Sequence, residues 1–223
     1  MNHKKIINSS KKEIIKDLGN NLISLYLVGT SVTSEKAEDI DIFAIVKKPI
    51  KNEEEIIKEL TKKYKIKIGF RTITYKDLIG KTRKSTMLTK IGIFNSSILL
   101  KVLEKGKLLY GKKLQLRKLI KDDPKKDIKF EISKLKLYLK IMKERKKLPF
   151  PKTEFPKFVA YLARAELYYK TGKFCISYND LAKALKGNHV IHDCLAIRNG
   201  KKKITKKFLN KVILYIRDIM ILL

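Results

Sequence analysis

Cysteine is nearly missing from this sequence: Cys175 and Cys194 stand far apart, without CxxC spacing. A pair so placed supplies neither a disulfide framework nor a zinc site, and it suits a reducing compartment. Long apolar runs are missing too. The opening MNHKKIINSSKKEII holds no apolar stretch of signal-peptide length, and VILYIRDIMILL at the other end is too short for a bilayer span and carries Arg217 and Asp218. A cytoplasmic protein without membrane association is expected. Acids are the third scarcity, 22 Asp and Glu against 53 Lys and Arg, for a formal charge of +31. A field of that size attracts polyanions and makes nucleic-acid binding salt-dependent. Most of those cations are Lys, however, and Ile is abundant beside them, a composition that an A/T-rich genome or a thermophilic surface yields without any ligand. Repeats and low-complexity tracts are absent beyond the Lys bias.

What is present is enough apolar material for a core: 44% of 223 residues, which fits one large domain or two small ones and excludes a disordered tail. Residues 3–21 carry apolar positions at helical spacing and stop at Gly19-Asn20-Asn21. Residues 22–28 read as a buried strand, 29–38 as a polar loop, and 39–46 as a second strand closed by Pro49. An amphipathic helix over 52–63, with Asn52 as N-cap and acids in its first turn, leads to a third strand over 64–74. A short helix and a basic loop are expected over 75–95, then a helix and a short strand over 96–110 ending at Gly111. Beyond residue 127 the pattern is helical, over 127–147, 155–171, 177–186 and 204–223. The expected organisation is a first domain over 1–113, a linker over 114–126 around KDDP, and an all-helical domain over 127–223.

The stretch LYLVGTSVTSEKAEDIDIFAIV, residues 25–46, sets two aspartates into an otherwise apolar strand. Side chains alternate along a strand, so Asp39 and Asp41 leave from one face and Ile40 and Ile42 from the other. Buried carboxylates need a partner. Two hard oxygen donors suit Mg²⁺ (or Mn²⁺), which keeps waters and takes its remaining ligands from substrate phosphates. The preceding loop supplies a complementary half: Gly29 lets backbone approach a phosphate, and Thr30 and Ser31 offer hydroxyls and amides.

An apolar strand ending in Gly-Thr-Ser, about ten residues, then Asp-Ile-Asp-Ile opening a second strand resembles the signature of the DNA polymerase β-like nucleotidyltransferase superfamily. VGTS and DIDIF carry the resemblance, and ILLKVLEKGKLLYGKK at 98–113 looks like the segment that closes the catalytic domain of small members. The resemblance covers roughly residues 10–113. It implies an α+β fold, with a nucleotidyltransferase palm (a small mixed sheet flanked by helices) followed by a helical domain for the acceptor substrate. It implies transfer of an NMP from an NTP such as ATP to a hydroxyl, with release of pyrophosphate. Gly29 and Thr30 would grip phosphate, with Ser31 able to stand in for a missing serine, and Asp39 and Asp41 would bind metal and serve catalysis. One feature departs from the family: a third carboxylate belongs on a later strand, but YKIKIGFRTIT shows Lys67, Gly69 and Arg71 on one face, and Asp77 lies just past it.

Arg71, Lys81, Arg83 and Lys84 could meet a triphosphate or an RNA backbone. The charge favours RNA or a tRNA end as acceptor, and a protein side chain, as in a toxin–antitoxin pair, stays open. So do a catalytically inactive nucleotide- or RNA-binding module of the same fold and a basic structural protein of a ribonucleoprotein. KERKK at 143–147 and KKK at 201–203 are expected at helix ends, where cations suit the dipole. The HVIHDC stretch at 189–194 reads as an interhelical turn. Phe155, Phe158, Tyr161, Tyr168 and Tyr169 on one helix could stack bases, but their spacing suits core packing.

Overall fold

The apolar runs at 22–28 and 39–46 become the two central strands of a four-stranded mixed sheet. In this computed structural model, which describes residues 3–34, 37, 39–79, 97–144 and 154–223, the chain forms two compact units, Met1–Asp122 and Asp123–Leu223. The sheet of the first unit holds β1 (Leu22–Val28), β2 (Asp39–Val46), β3 (Lys67–Thr74) and β4 (Lys107–Gly111) in the order β3-β2-β1-β4. β1 is antiparallel to β2 and β4, and β2 runs parallel to β3. The parallel pair needs a crossover, which α2 (Glu53–Tyr64) provides. The architecture is α+β, as the resemblance implied.

Both faces of the sheet are covered. On one, α1 (His3–Leu18) and α2 bring Ile6, Ile14, Ile56 and Leu60 onto Ile40, Ile42, Ile68 and Phe70. On the other, α4 (Ser97–Glu104) and α5 (Leu116–Leu119) bury Leu99, Leu100 and Leu103 against Tyr26, Phe43 and Ile45. Between β3 and α4, Tyr75–Leu78 forms one helical turn, α3. Burying apolar side chains at about 25 cal/mol per Å² makes these two layers the principal stabilisation of the sheet. Glu53, in the first turn of α2, is buried, and its carboxylate accepts from the amide of Thr72 at 3.0 Å and from the Thr72 hydroxyl, tying the crossover helix to β3.

The second unit is helical: α6 (Pro124–Lys143), α7 (Phe155–Thr171), α8 (Tyr178–Ala184), α9 (Val190–Arg198) and α10 (Lys206–Ile221). Asp123 caps α6 by accepting from the Lys126 amide, with Pro124 at the first position. α7 is the central helix. Its Phe155 is fully buried and meets Phe208 of α10 edge-to-face at 6.4 Å. Among the described residues no helix is long and apolar enough to cross a membrane.

Several element bounds differ from expectation. β3 starts at Lys67 instead of 64, because α2 continues to Tyr64 and Lys65 takes a left-handed conformation (φ 52) to cap it. The first helix ends at Leu18, and Gly19–Asn21 form a separate 3-10 turn. The main correction is α9. HVIHDC is no turn: His189 is an N-cap whose Nδ1 accepts the amide of Ile191 at 3.1 Å, and the helix runs from Val190 to Arg198. The loop expected over 80–95 and KERKK beyond residue 144 lie outside the described residues.

Candidate active site

Asp39 and Asp41 begin the row that continues inward as Phe43 and Ile45, so their carboxylates stand at the open end of the face that α4 covers. Both are half-buried. The strand pairing brings three segments to Asp41. Val28, the last residue of β1, is its partner on one side and Gly69 of β3 its partner on the other. Beyond Val28 the chain turns through a 3-10 segment, Gly29–Val32, with Gly29 at φ 76.

Two bare glycines flank the carboxylate of Asp41. A Cβ at Gly29 would stand 2.8 Å from Oδ2, and one at Gly69 would overlap Oδ1 outright. At Gly29 the positive φ already disfavours any L side chain. At Gly69 the backbone imposes no such demand, and the constraint is the carboxylate itself.

The Gly-Thr-Ser turn is braced from within. Ser31 is buried, and its hydroxyl donates to the Val28 carbonyl at 3.1 Å. The Thr30 carbonyl accepts from the amides of Thr33 and Ser34 at 3.1 and 3.0 Å and from the Thr33 hydroxyl at 3.3 Å. Ser31 therefore holds the turn through its side chain, while Thr30 is half-buried.

On β3, Lys67 is opposite Asp39 and Arg71 opposite Phe43, one row deeper than Asp41. Arg71 is half-buried and donates from Nη1 to the Phe70 carbonyl at 2.8 Å. Asp77 is fully buried in the single turn of α3, whose N-cap is Thr74. Its carboxylate accepts from the Thr74 hydroxyl at 2.6 Å, and its amide donates back to that hydroxyl at 3.0 Å. Lys81, Arg83 and Lys84 lie outside the described residues.

Among the described residues no three His, Cys, Asp or Glu side chains gather to hold a metal ion. The two aspartates fit an ion content with few protein ligands, which is the habit of Mg²⁺ beside phosphates. The HVIHDC side chains face separate partners. His192 meets the Leu185 carbonyl at 2.9 Å, Asp193 pairs with Lys202 and Lys211, each at 2.7 Å, and burial pushes the Cys194 thiol up. His189 Nε2 lies 3.1 Å from Glu166, whose carboxylate also accepts from Lys170 at 2.7 Å and Tyr215 at 2.6 Å. No signal in the sequence announced that buried cluster.

No protein-family model and no curated protein sequence matches the chain. Solved structures do. Spectinomycin adenyltransferase AAD(9) from Enterococcus faecialis, determined with ATP and spectinomycin, superposes with a TM-score of 0.59 at 20% identity, over 96% of this chain and 98% of that one. The toxin–antitoxin pair MntA-HpeT gives a TM-score of 0.33 at 18% identity, over 65% of this chain and 92% of its match. The complex of tri-AMPylated Shewanella oneidensis HEPN toxin with MNT antitoxin gives 0.30 at 19% identity, over 62% and 91%. Of these three, the adenyltransferase shares the fold along nearly its whole length.

Proposed function

From the nucleotidyltransferase fold, that of the DNA polymerase β-like superfamily, we propose that this chain transfers an NMP from an NTP to a hydroxyl acceptor with release of pyrophosphate. The observation that carries the reading is the seating of Asp41 between the Gly29 turn and the bare Gly69, with Asp39 beside it on the same face. Asp39 and Asp41 would hold Mg²⁺ or Mn²⁺, which when bound neutralises phosphate charge and orients the triphosphate. The Gly29–Val32 turn lets backbone reach the phosphates, with the Thr30 hydroxyl as a further donor. Arg71 adds positive charge one row deeper on the neighbouring strand. The acceptor oxygen forms a bond to the α-phosphorus as the bond to the pyrophosphate oxygen breaks, and the hydroxyl proton passes to solvent. Such a site works by positioning and charge neutralisation.

One observation favours a second reading, an inactive nucleotide- or RNA-binding module of the same fold. The strand beside the aspartates presents Lys67, Gly69 and Arg71, and the Asp77 carboxylate is fully buried and engaged by the hydroxyl of the capping Thr74. Each NTP labelled at the α-phosphate, ATP first, is incubated with Mg²⁺ or Mn²⁺ and total RNA or total protein. The same reactions are run on Asp39→Ala/Asp41→Ala. Label transferred by the wild type alone establishes the transferase, and nuclease or protease sensitivity tells an RNA or tRNA end from a protein side chain. Metal-dependent NTP binding with no label on either acceptor supports the module instead.

A further inference from the structure

The helical unit carries an unbroken run of alternating rings and cations. Lys134 on α6 lies 5.2 Å from the rings of Phe130 and Phe158 and 5.3 Å from that of Tyr161. Arg164 on α7 lies 5.7 Å from Tyr161 and 5.1 Å from Tyr178 of α8. Arg198, at the end of α9, closes the run 4.3 Å from the same Tyr178 ring.

Three observations separate this run from ordinary core packing. It lies at the surface: Phe130 is 38% exposed, Arg198 is exposed, and Phe158, Tyr161 and Tyr178 are half-buried, whereas Phe155 on the same helix has no exposure at all. It also uses arginine in a chain that avoids it. Seven of the 53 basic residues are Arg, and two of the seven converge on one tyrosine. Solvated charge needs only Lys, whereas a planar guanidinium stacks on a ring and keeps its edge donors for a phosphate. Finally, the polar groups of the run are unevenly answered: Lys134 pairs with buried Glu131 at 2.5 Å and Arg164 Nη2 donates to the Ile176 carbonyl at 2.5 Å, whereas other groups go without. Among the described residues no carboxylate pairs with either guanidinium, and Arg164 Nε and the Tyr178 hydroxyl are buried without a hydrogen-bond partner.

We propose that this ring–cation run binds single-stranded nucleic acid, with phosphates on the guanidinium edges, that of exposed Arg198 first, and unstacked bases on the half-buried rings. A duplex keeps its bases stacked and cannot use the rings. The net charge of +31 concentrates any polyanion near the surface, but the run adds what charge alone lacks, a set of faces for bases. The purpose of the strand, as the hydroxyl acceptor, rests on the transferase reading, while its binding is measurable with no nucleotide present.

The test is fluorescence anisotropy of the full chain with a labelled short RNA, the same sequence as single-stranded DNA, and the RNA duplex. Arg198→Lys keeps the charge and the exposed position but loses the plane, and Tyr178→Leu removes the shared ring. Each is expected to weaken single-strand binding by roughly tenfold, with an unchanged melting temperature for Arg198→Lys. Lys206→Ala/Lys207→Ala on α10 removes two exposed charges and is expected to cost about twofold or less, as for solvated cations. Tighter binding of RNA than of DNA identifies RNA, and equal binding identifies single strands of either sugar. The proposal falls if Arg198→Lys binds like the wild type, if the Lys206/Lys207 control loses as much, if the duplex binds as tightly, or if polyglutamate displaces the strand equally well. Strand binding that follows the run in a chain that transfers no label would leave this inference standing and remove the transferase reading.

Discussion

Asp41 has a glycine on either side, and the two are not equivalent. Gly29 is dictated by its own positive φ, whereas Gly69 sits in an ordinary strand where any residue could follow the backbone. A methyl there would strike Oδ1 of Asp41 and turn the carboxylate out of line. Gly69→Ala is therefore expected to leave the sheet folded yet weaken Mn²⁺ binding, read by electron paramagnetic resonance, and to slow NMP transfer on the order of 100-fold, the cost of misplacing a reacting group by about 1 Å. Lys67→Ala, its exposed neighbour on the same face, should change neither. Unaltered Mn²⁺ affinity in Gly69→Ala would show that Asp41 needs no bare neighbour. At this scale the sequence was half legible. Alternation alone put Asp39 and Asp41 on one face, but the partnership of Asp41 with Gly69 depends on a parallel pairing across the α2 crossover, which no local pattern encodes. Ser31 was likewise ambiguous, since a hydroxyl after a strand can face a ligand or, as here, fold back onto Val28.

At the scale of elements, the helical unit is pinned by one carboxylate. Glu166 of α7 is 5% exposed and accepts from His189 at the start of α9, Lys170 one turn on, and Tyr215 of α10. Burial alone would raise its pKa, but the hydrogen bonds from His189, Lys170 and Tyr215 outweigh it and bring the value from 4.5 down to about 2. The folded value lies below the unfolded one, so charged Glu166 contributes its full stabilisation above about pH 4.5 and loses it as pH falls towards 2. The shift corresponds to about 3 kcal/mol. Glu166→Gln is expected to lower stability at pH 7 by up to that order and to flatten the acid limb between pH 4.5 and 2 in urea titrations followed by circular dichroism. A limb as steep as that of the wild type would assign the acid sensitivity elsewhere. The long helices α1 and α10 were legible because each buries a single stripe, and α7, buried over much of its circumference, was legible from its length and its closing Gly172. α9 was not, because it is short, its apolar residues surround the axis, and its cap is a histidine, outside the Ser, Thr, Asp and Asn set that marks most helix starts.

At the scale of the molecule, charge opposes folding more than it assists it. If every acid were paired with one base, 31 of the 53 cations would still have no counter-charge. The ion pairs that do form include short-range helix pairs such as Lys140 with Glu144 at 3.9 Å and links such as Lys63 with Glu13 at 2.8 Å, where Lys63 is 59% exposed. Exposed pairs of that kind contribute about 0–1 kcal/mol each and fade with salt. Self-repulsion among the unanswered lysines fades with salt as well, and it favours the expanded unfolded chain, in which the charges stand farther apart. The two effects have opposite signs, so ionic strength decides between them. With 31 cations in excess, raising NaCl from about 0.02 to 0.5 M, where the Debye length falls from about 20 Å to about 4 Å, is expected to raise stability by about 1 kcal/mol or more. For a chain of this size that moves Tm upward by roughly 2–4 °C. A Tm that falls with salt would mean that the ion pairs outweigh the lysine field. The excess would then cost the fold nothing.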